Sequence, residues 1–362
     1  MTLTSTITPG GGRARPQPAV HRLRGVSSRD RDWDGVRLHV VTGKGGTGKT
    51  TVAAALALAL AAEGGKVLLV EVEERHGIAP LFGLDSLSYA EREIAAADNG
   101  GTVYALAVDA EAALLEYLEM FYGLRRVGGA LRRFGVIDFA TTIAPGARDI
   151  LLTGKVTEAV RRRTPQSARH DGPGPYVYDA VVLDAPPTGR ITRFLNVTAE
   201  VSGLARVGPV RDHAARVIDV IRSPETVVHF VTLLEEMPVQ ECVEGIAEAR
   251  DAGLHVGGIL VNMVRPALLE DSVLAAASQG VVDVAALTRG LQAASLPDPS
   301  RLAQELSKEI VEHARHMRVA AEARSRLAAA GRPCYDVPFL DDGVDLDGLR
   351  RLARELRDQG AV

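Results

Sequence analysis

Cysteine is almost missing from this chain: Cys242 and Cys334 are the only two in 362 residues. A pair so widely spaced in sequence supports neither a disulfide framework nor a C-x-x-C metal staple, and it points to a reducing compartment, the cytoplasm. Aromatic residues amount to 4%, so the core is expected to be aliphatic, built from Ala, Val and Leu. The longest apolar run, 52–62, is about half the roughly 20 residues that a membrane-spanning helix needs. The net charge of −4 gives no global attraction for nucleic acid, and any membrane contact is expected to be peripheral. Lysine is scarce as well, with only five among 42 basic residues. A chain that otherwise uses arginine yet places Lys44 and Lys49 within one short stretch wants an ammonium there.

What the chain does have is an alternation. Short β-branched apolar runs at 36–41, 66–72, 102–108, 180–184, 227–232, 256–262 and 333–337 are bounded by turn residues, and the gaps mostly carry helical patterns. Strands apolar on both faces indicate a doubly wound α/β fold, a mostly parallel sheet covered on both sides. Residues 51–63 read as an Ala/Leu helix buried all round. Strand signals vanish from 111 to 163, where an Arg-rich segment and a Pro-Gly break at 145–146 interrupt a helical pattern. The expected organisation is a flexible Arg/Gly/Pro-rich tail over 1–35, which is not a secretory signal, then a first core part over 36–110. An inserted helical subdomain over 111–172 and a second core part over 173–362 complete it. There is no internal repeat, so the chain reads as one half of an assembly.

The stretch VTGKGGTGKTT (41–51) fits two templates. Gly43, Gly45 and Gly48 spell the dinucleotide fingerprint, with Glu71 or Glu73 as its downstream acid. Gly43, Gly48, Lys49 and Thr50 spell the phosphate-binding loop of nucleoside triphosphatases. Both need a strand before and a helix after. Lys49-Thr50-Thr51 decides for the second, because it supplies an ammonium for the β/γ-phosphates and a hydroxyl for Mg²⁺. A second apolar strand ending in Asp184 (VVLDAPPTG) offers the acid partner of that metal, and the turn at 187–189 can aim a backbone N–H at a γ-phosphate. Gly43 to Thr51, including Gly45, Gly46 and Thr47, would wrap the β-phosphate at a helix N-terminus. Residues 338–342, starting at Pro338, follow the last strand and are expected beside the adenine of ATP.

Lys44 after the first glycine makes the loop GKGGTGKT, the deviant Walker A form. At this point the chain resembles the ArsA/Get-type ATPases, the arsenite-pump and tail-anchored-protein-targeting family, within the larger group of MinD and ParA ATPases. VVLDAPPTGRITRFL looks like the family's DTAPTGHTLRFL, LLVEVEERHGIAPLFG is similar to its switch I segment, and VTLLEEMPVQE to its VTIPE…ET segment. GGILVNMV resembles the strand whose Asn reads adenine, here Asn262. The VEVE…HGIA and TTIAPGARDILLTGK segments resemble actinobacterial ArsA-like members. The resemblance implies a Mg²⁺-dependent ATPase acting as a homodimer or as a heterodimer with a paralogue, with Lys44 reaching the nucleotide across the interface. It also implies that Glu73 stands where the family has a catalytic Asp, and Glu74 where it has Pro. The catalytic set would be Lys44, Lys49, Glu73 and Asp184, with Thr50 and Asp184 at the metal.

Other features read blandly. His313 and His316 lie i, i+3 on a helix without further ligands. The face of Leu349, Leu352, Ala353 and Leu356 suits a core helix better than a membrane surface. Residues 112–122 (AALLEYLEMFY) could line a client groove or simply pack the insertion. The client itself is not legible, since arsenite binding needs more cysteines. A non-catalytic partner subunit and a MinD/ParA-like positioning switch are the alternatives from other classes.

Overall fold

The computed structural model describes residues 33–72, 76–122, 145–165, 173–196 and 209–362. Its strands are β1 (Leu38–Gly43), β2 (Lys66–Val72), β3 (Arg92–Ala96), β4 (Thr102–Val108), β5 (Ala180–Asp184), β6 (Thr226–Thr232), β7 (Val256–Val264) and β8 (Cys334–Pro338). The described helices are α1 (Lys49–Ala61), α2 (Ile78–Leu81), α3 (Ala110–Tyr122), α4 (Pro145–Arg161), α5 (Thr188–Leu195) and α6 (Pro209–Ile221). They continue with α7 (Glu236–Asp251), α8 (Asp271–Ser278), α9 (Val284–Ala293), α10 (Pro299–Ala328) and α11 (Leu346–Asp358).

The strands form one sheet in the order β3-β4-β2-β5-β1-β6-β7-β8. Every neighbouring pair is parallel except β3 with β4. Alternation along each strand sends side chains to opposite faces, and both faces are covered, so the strands read as unbroken apolar runs. On one face Leu38, Val40, Leu68, Val70, Leu183 and Phe230 pack with α4, α5, α6 and α7. On the other face Val41, Val67, Leu69 and Val182 pack with α1 and α11. Helix α1 is enclosed between the sheet and α11, which explains why it has no polar side. Each fully buried Val or Leu there stabilises by about 1.5–3 kcal/mol.

Seven strands fall where apolar runs announce them. The eighth, β3, gives no such signal: REIAA is mostly exposed and pairs antiparallel at the sheet edge. Pro145 is the first residue of α4, where the N–H that proline lacks has no helical partner anyway. Leu152, Val156, Ala159 and Val160 of α4 lie in the main cluster on the sheet, so this part of 111–172 packs as a core layer. Residues 123–144 lie outside the described residues. The apolar face of α11 is filled: Leu349, Leu352, Ala353 and Leu356 are buried in the α1 cluster, and Asp345 caps the helix by accepting from Gly348 N–H at 2.8 Å. This removes the membrane-surface alternative for that face. No helix among the described residues is long and apolar enough to cross a membrane.

Two polar arrangements are set into this frame. His39 on β1 and His229 on β6 are fully buried, with Nδ1 of the first 3.1 Å from Nε2 of the second. His229 Nδ1 accepts from Gly258 N–H at 3.0 Å, so its proton sits on Nε2 and is donated to His39, an assignment made from the network. Burial holds His39 down at about 3, and His229 well below its ordinary range. At the end of α4, Arg162 grips Glu158 through Nε and one terminal nitrogen at 2.7 and 2.6 Å, and Glu91 through the other at 2.6 Å. Tyr178, leading into β5, donates to the second oxygen of Glu91 at 2.6 Å.

Candidate nucleotide site

The central strand β1 has β5 and β6 on either side, so the crevice at their carboxyl ends opens where the chain reverses direction across the sheet. At two positions of the loop that β1 leads into, only glycine fits. A Cβ on Gly43 would lie 2.1 Å from the Val231 carbonyl oxygen. A Cβ on Gly48, whose φ is 81°, would lie 2.2 Å from Asn262 Nδ2. Gly48 caps α1 without a side-chain bond, and the first turn holds no acidic residue. The open N–H groups and the helix dipole therefore face the loop interior and suit an anion.

Side chains hold the loop in this shape. Asn262 Nδ2 donates to the Thr47 carbonyl at 2.8 Å. Thr47 Oγ1 and Lys49 Nζ both donate to the Lys44 carbonyl, at 2.8 and 3.0 Å. Lys49 is only 6% exposed, so its ammonium is held inside the loop, where phosphate oxygens would sit. Thr42 Oγ1 donates to the Pro186 carbonyl at 2.7 Å, fastening the end of β1 to the segment between β5 and α5.

Thr50, in the first turn of α1, donates its hydroxyl to Asp184 Oδ2 at 2.6 Å. Asp184 ends β5 and is 1% exposed. Its register partner on β2 is Glu71, also buried, with Oε1 accepting from Gly77 N–H at 2.6 Å. Two buried carboxylates and one hydroxyl make a donor set of hard oxygens. That set suits a small divalent cation such as Mg²⁺, which takes one or two carboxylates and completes its shell with phosphate and water.

The structure thus brings together Gly43, Lys44, Gly45, Gly46, Thr47, Gly48, Lys49, Thr50, Thr51, Asp184 and Asn262. Asn262 does not end its strand: β7 runs two residues further, with a register shift between Val261 and Val264 and Met263 at φ 56°. Such a bulge re-aims a side chain, and here the Asn262 amide is turned onto the loop backbone. Pro338 is the last residue of β8, paired with Val264. The next residue, Phe339, carries the Arg265 guanidinium 3.9 Å from its ring centroid. Glu73 lies outside the described residues. Lys44 points within its own chain, to Glu241 on α7 at 2.6 Å. Sequence names Glu71 only as a possible acid of the dinucleotide reading and gives Glu241 no role; the fold makes both neighbours of the loop. The two cysteines are free, and burial pushes the Cys242 thiol up to about 12, so it is inert at neutral pH. Among the described residues no group of three His, Cys, Asp or Glu is placed to hold a metal.

A phosphate-binding loop on the central strand of a doubly wound sheet, with an acid at the end of the adjacent strand, defines a P-loop nucleoside triphosphatase. Residues 36–211 match the anion-transporting ATPase family. The chain is 51% identical over 326 residues to ATPase BagA of Mycobacterium tuberculosis, covering 90% of this chain and 94% of that one. It is 28% identical over 186 residues to ATPase GET3 of Candida glabrata, covering 47% and 50%. A similar match, 28% over 189 residues, covers 48% of this chain and 51% of ATPase GET3 of Kluyveromyces lactis. The chain belongs to the ArsA-type anion-transporting ATPase family, and it is an ATP hydrolase.

Proposed function

We propose that this protein is a Mg²⁺-dependent ATPase that works as a cytoplasmic dimer, of itself or with a paralogue, and drives a helical client-binding segment. The observation that carries the proposal is the 2.6 Å contact of Thr50 with Asp184 beside the loop-held Lys49. Thr50 and Asp184 hold Mg²⁺, which when bound supplies charge neutralisation at the β- and γ-phosphate oxygens. The loop amides from Gly43 to Thr51 bind the β-phosphate, and Lys49 neutralises the oxygens it shares with the γ-phosphate. Asn262 and Pro338 border the adenine. Glu73 orients the attacking water by accepting one of its protons.

Lys44 acts on the nucleotide of the partner subunit, as an ammonium version of an arginine finger. To do so it leaves Glu241, so dimer closure exchanges one carboxylate for a phosphate. Hydrolysis then releases segments 73–79 and 185–193, which run into α2 and α5, and the release is passed to the helices of 111–172.

Steady-state ATPase measured over a protein-concentration series tests this. Specific activity should rise with concentration in wild type and collapse in Lys44→Ala, Glu73→Ala and Asp184→Asn, with ADP affinity in EDTA kept in all three. Activity independent of concentration and indifferent to Lys44→Ala would remove the dimer from the mechanism.

A further inference from the structure

A buried carboxylate among aliphatic strands is costly unless it is hydrogen-bonded or neutralised. Glu71 is 2% exposed, and only half of it is provided for. Oε1 accepts from Gly77 N–H at 2.6 Å and from Ile78 N–H at 3.3 Å. Oε2 is buried and has no hydrogen-bond partner among the described residues. As a cap for two amides, Glu71 would be a poor choice, since a neutral acceptor would do the same without stranding a charge.

The surroundings say what the second oxygen is for. Glu71 and Asp184 are register partners on adjacent parallel strands, so their side chains emerge on the same face, that of α1. Gly77 bridges from this acid to the loop helix. A Cβ placed on it would lie 3.2 Å from Thr50 Cγ2, 3.5 Å from Thr50 Oγ1 and 3.6 Å from Glu71 Oε1. Glu71 therefore sits in the same cluster as the Thr50–Asp184 pair. A buried carboxylate oxygen left without a donor beside that pair calls for a cation or a polar hydrogen next to it.

We propose that Glu71 is the second carboxylate of the cation site and the link from that cation to the turn before α2. With Mg²⁺ held by Thr50 and Asp184, Oε2 accepts from the hydration shell of the cation while Oε1 keeps the Gly77 and Ile78 amides. Metal occupancy and the position of residues 77–78 are then read by one rigid carboxylate. Glu71 is a positioning residue in this scheme, and the scheme rests on the Mg²⁺ reading of Thr50 and Asp184 given above.

Mn²⁺ is the probe, titrated into the full-length chain with ADP and followed by electron paramagnetic resonance of the free ion. Glu71→Gln keeps an acceptor for the two amides and removes the charge. It should weaken Mn²⁺ by about tenfold or more, the usual effect of losing an outer-sphere partner, with ADP affinity in EDTA unchanged. Hydrogen exchange over 76–82 gives a readout that capping alone would not move: Mn²⁺ with ADP should slow it in wild type and not in Glu71→Gln. Asp184→Asn reports on the cation site itself. Wild-type Mn²⁺ affinity in Glu71→Gln, with Asp184→Asn impaired, would overturn the role of Glu71 and leave the Mg²⁺ reading standing. Wild-type affinity in both would overturn the two together. Should the Gln variant melt too low to titrate, Glu71→Asp keeps the charge but falls one methylene short of the amides. It should retain Mn²⁺ within a few fold and lose the exchange response, and an exchange response like wild type would sink the link.

Discussion

Lys44 and Glu241 are 197 residues apart in sequence and 2.6 Å apart in space. The pair lies beside the nucleotide loop with each side chain about a third exposed. A pair so open to solvent adds little to stability, under about 1 kcal/mol, and in the proposed dimer it is the position that Lys44 leaves. Glu241→Gln should leave the melting temperature nearly unchanged and lower the protein concentration that gives half-maximal ATPase activity. An unchanged concentration dependence would show that Glu241 does not restrain Lys44.

The loop glycines differ in what they tolerate. Gly48→Ala places a methyl 2.2 Å from Asn262 Nδ2 at φ 81°, whereas a methyl on Gly45 would meet nothing within 4 Å. Gly48→Ala should cost about 1–3 kcal/mol and abolish nucleotide binding. Gly45→Ala should fold within about 0.5 kcal/mol of wild type. Urea melts and fluorescent-ADP titrations of the two variants separate these outcomes.

The same contrast shows how far sequence reaches. Seven strands, α1, the loop and the acid at the end of β5 are legible because each is a local pattern: an apolar run, a helical run, glycines at fixed spacing. β3 is illegible because an exposed edge strand has no alternation to display. The layer role of α4 is hidden because a helix on a sheet and a helix in a separate subdomain have the same period. Glu241 and Glu71 escape for a different reason. Sequence places both in segments that resemble the family and names Glu71 as an acid only for the dinucleotide reading, and the pairing of β2 with β5 and the placement of α7 bring them to the loop.

The His39–His229 pair makes stability pH-dependent in a defined direction. Both imidazoles are buried neutral, and desolvation holds the folded His39 at about 3 and His229 well below its ordinary value. Their folded values lie below the unfolded value near 6.5, so their contribution is complete above that pH and declines as pH falls beneath it. At pH 5.5 the loss should be about 1.4 kcal/mol for each imidazole relative to neutral pH. The difference in unfolding free energy between pH 7.5 and 5.5 should be visibly smaller in His39→Leu. Equal slopes for the two proteins would refute the assignment.

Arg162 joins the end of α4 to Glu91 and, through it, to Tyr178 at the entrance of β5. Its side chain is 27% exposed, and the two carboxylates it serves are left without a guanidinium when it is removed. Arg162→Ala should therefore destabilise by about 1–3 kcal/mol. Arg162→Lys should recover only part of that, since an ammonium cannot reproduce the fork on Glu158. Chemical denaturation of the three proteins ranks them.

The grip of Asn262 on Thr47 holds the backbone in the middle of the loop without help from a ligand. For that part of the loop, the ordering entropy that many binding loops surrender on association is met during folding. Capture of a polyphosphate should then follow a single fast phase with no slow rearrangement. The cradle would select by contour, excluding ligands with bulk at the β-position instead of adapting to them.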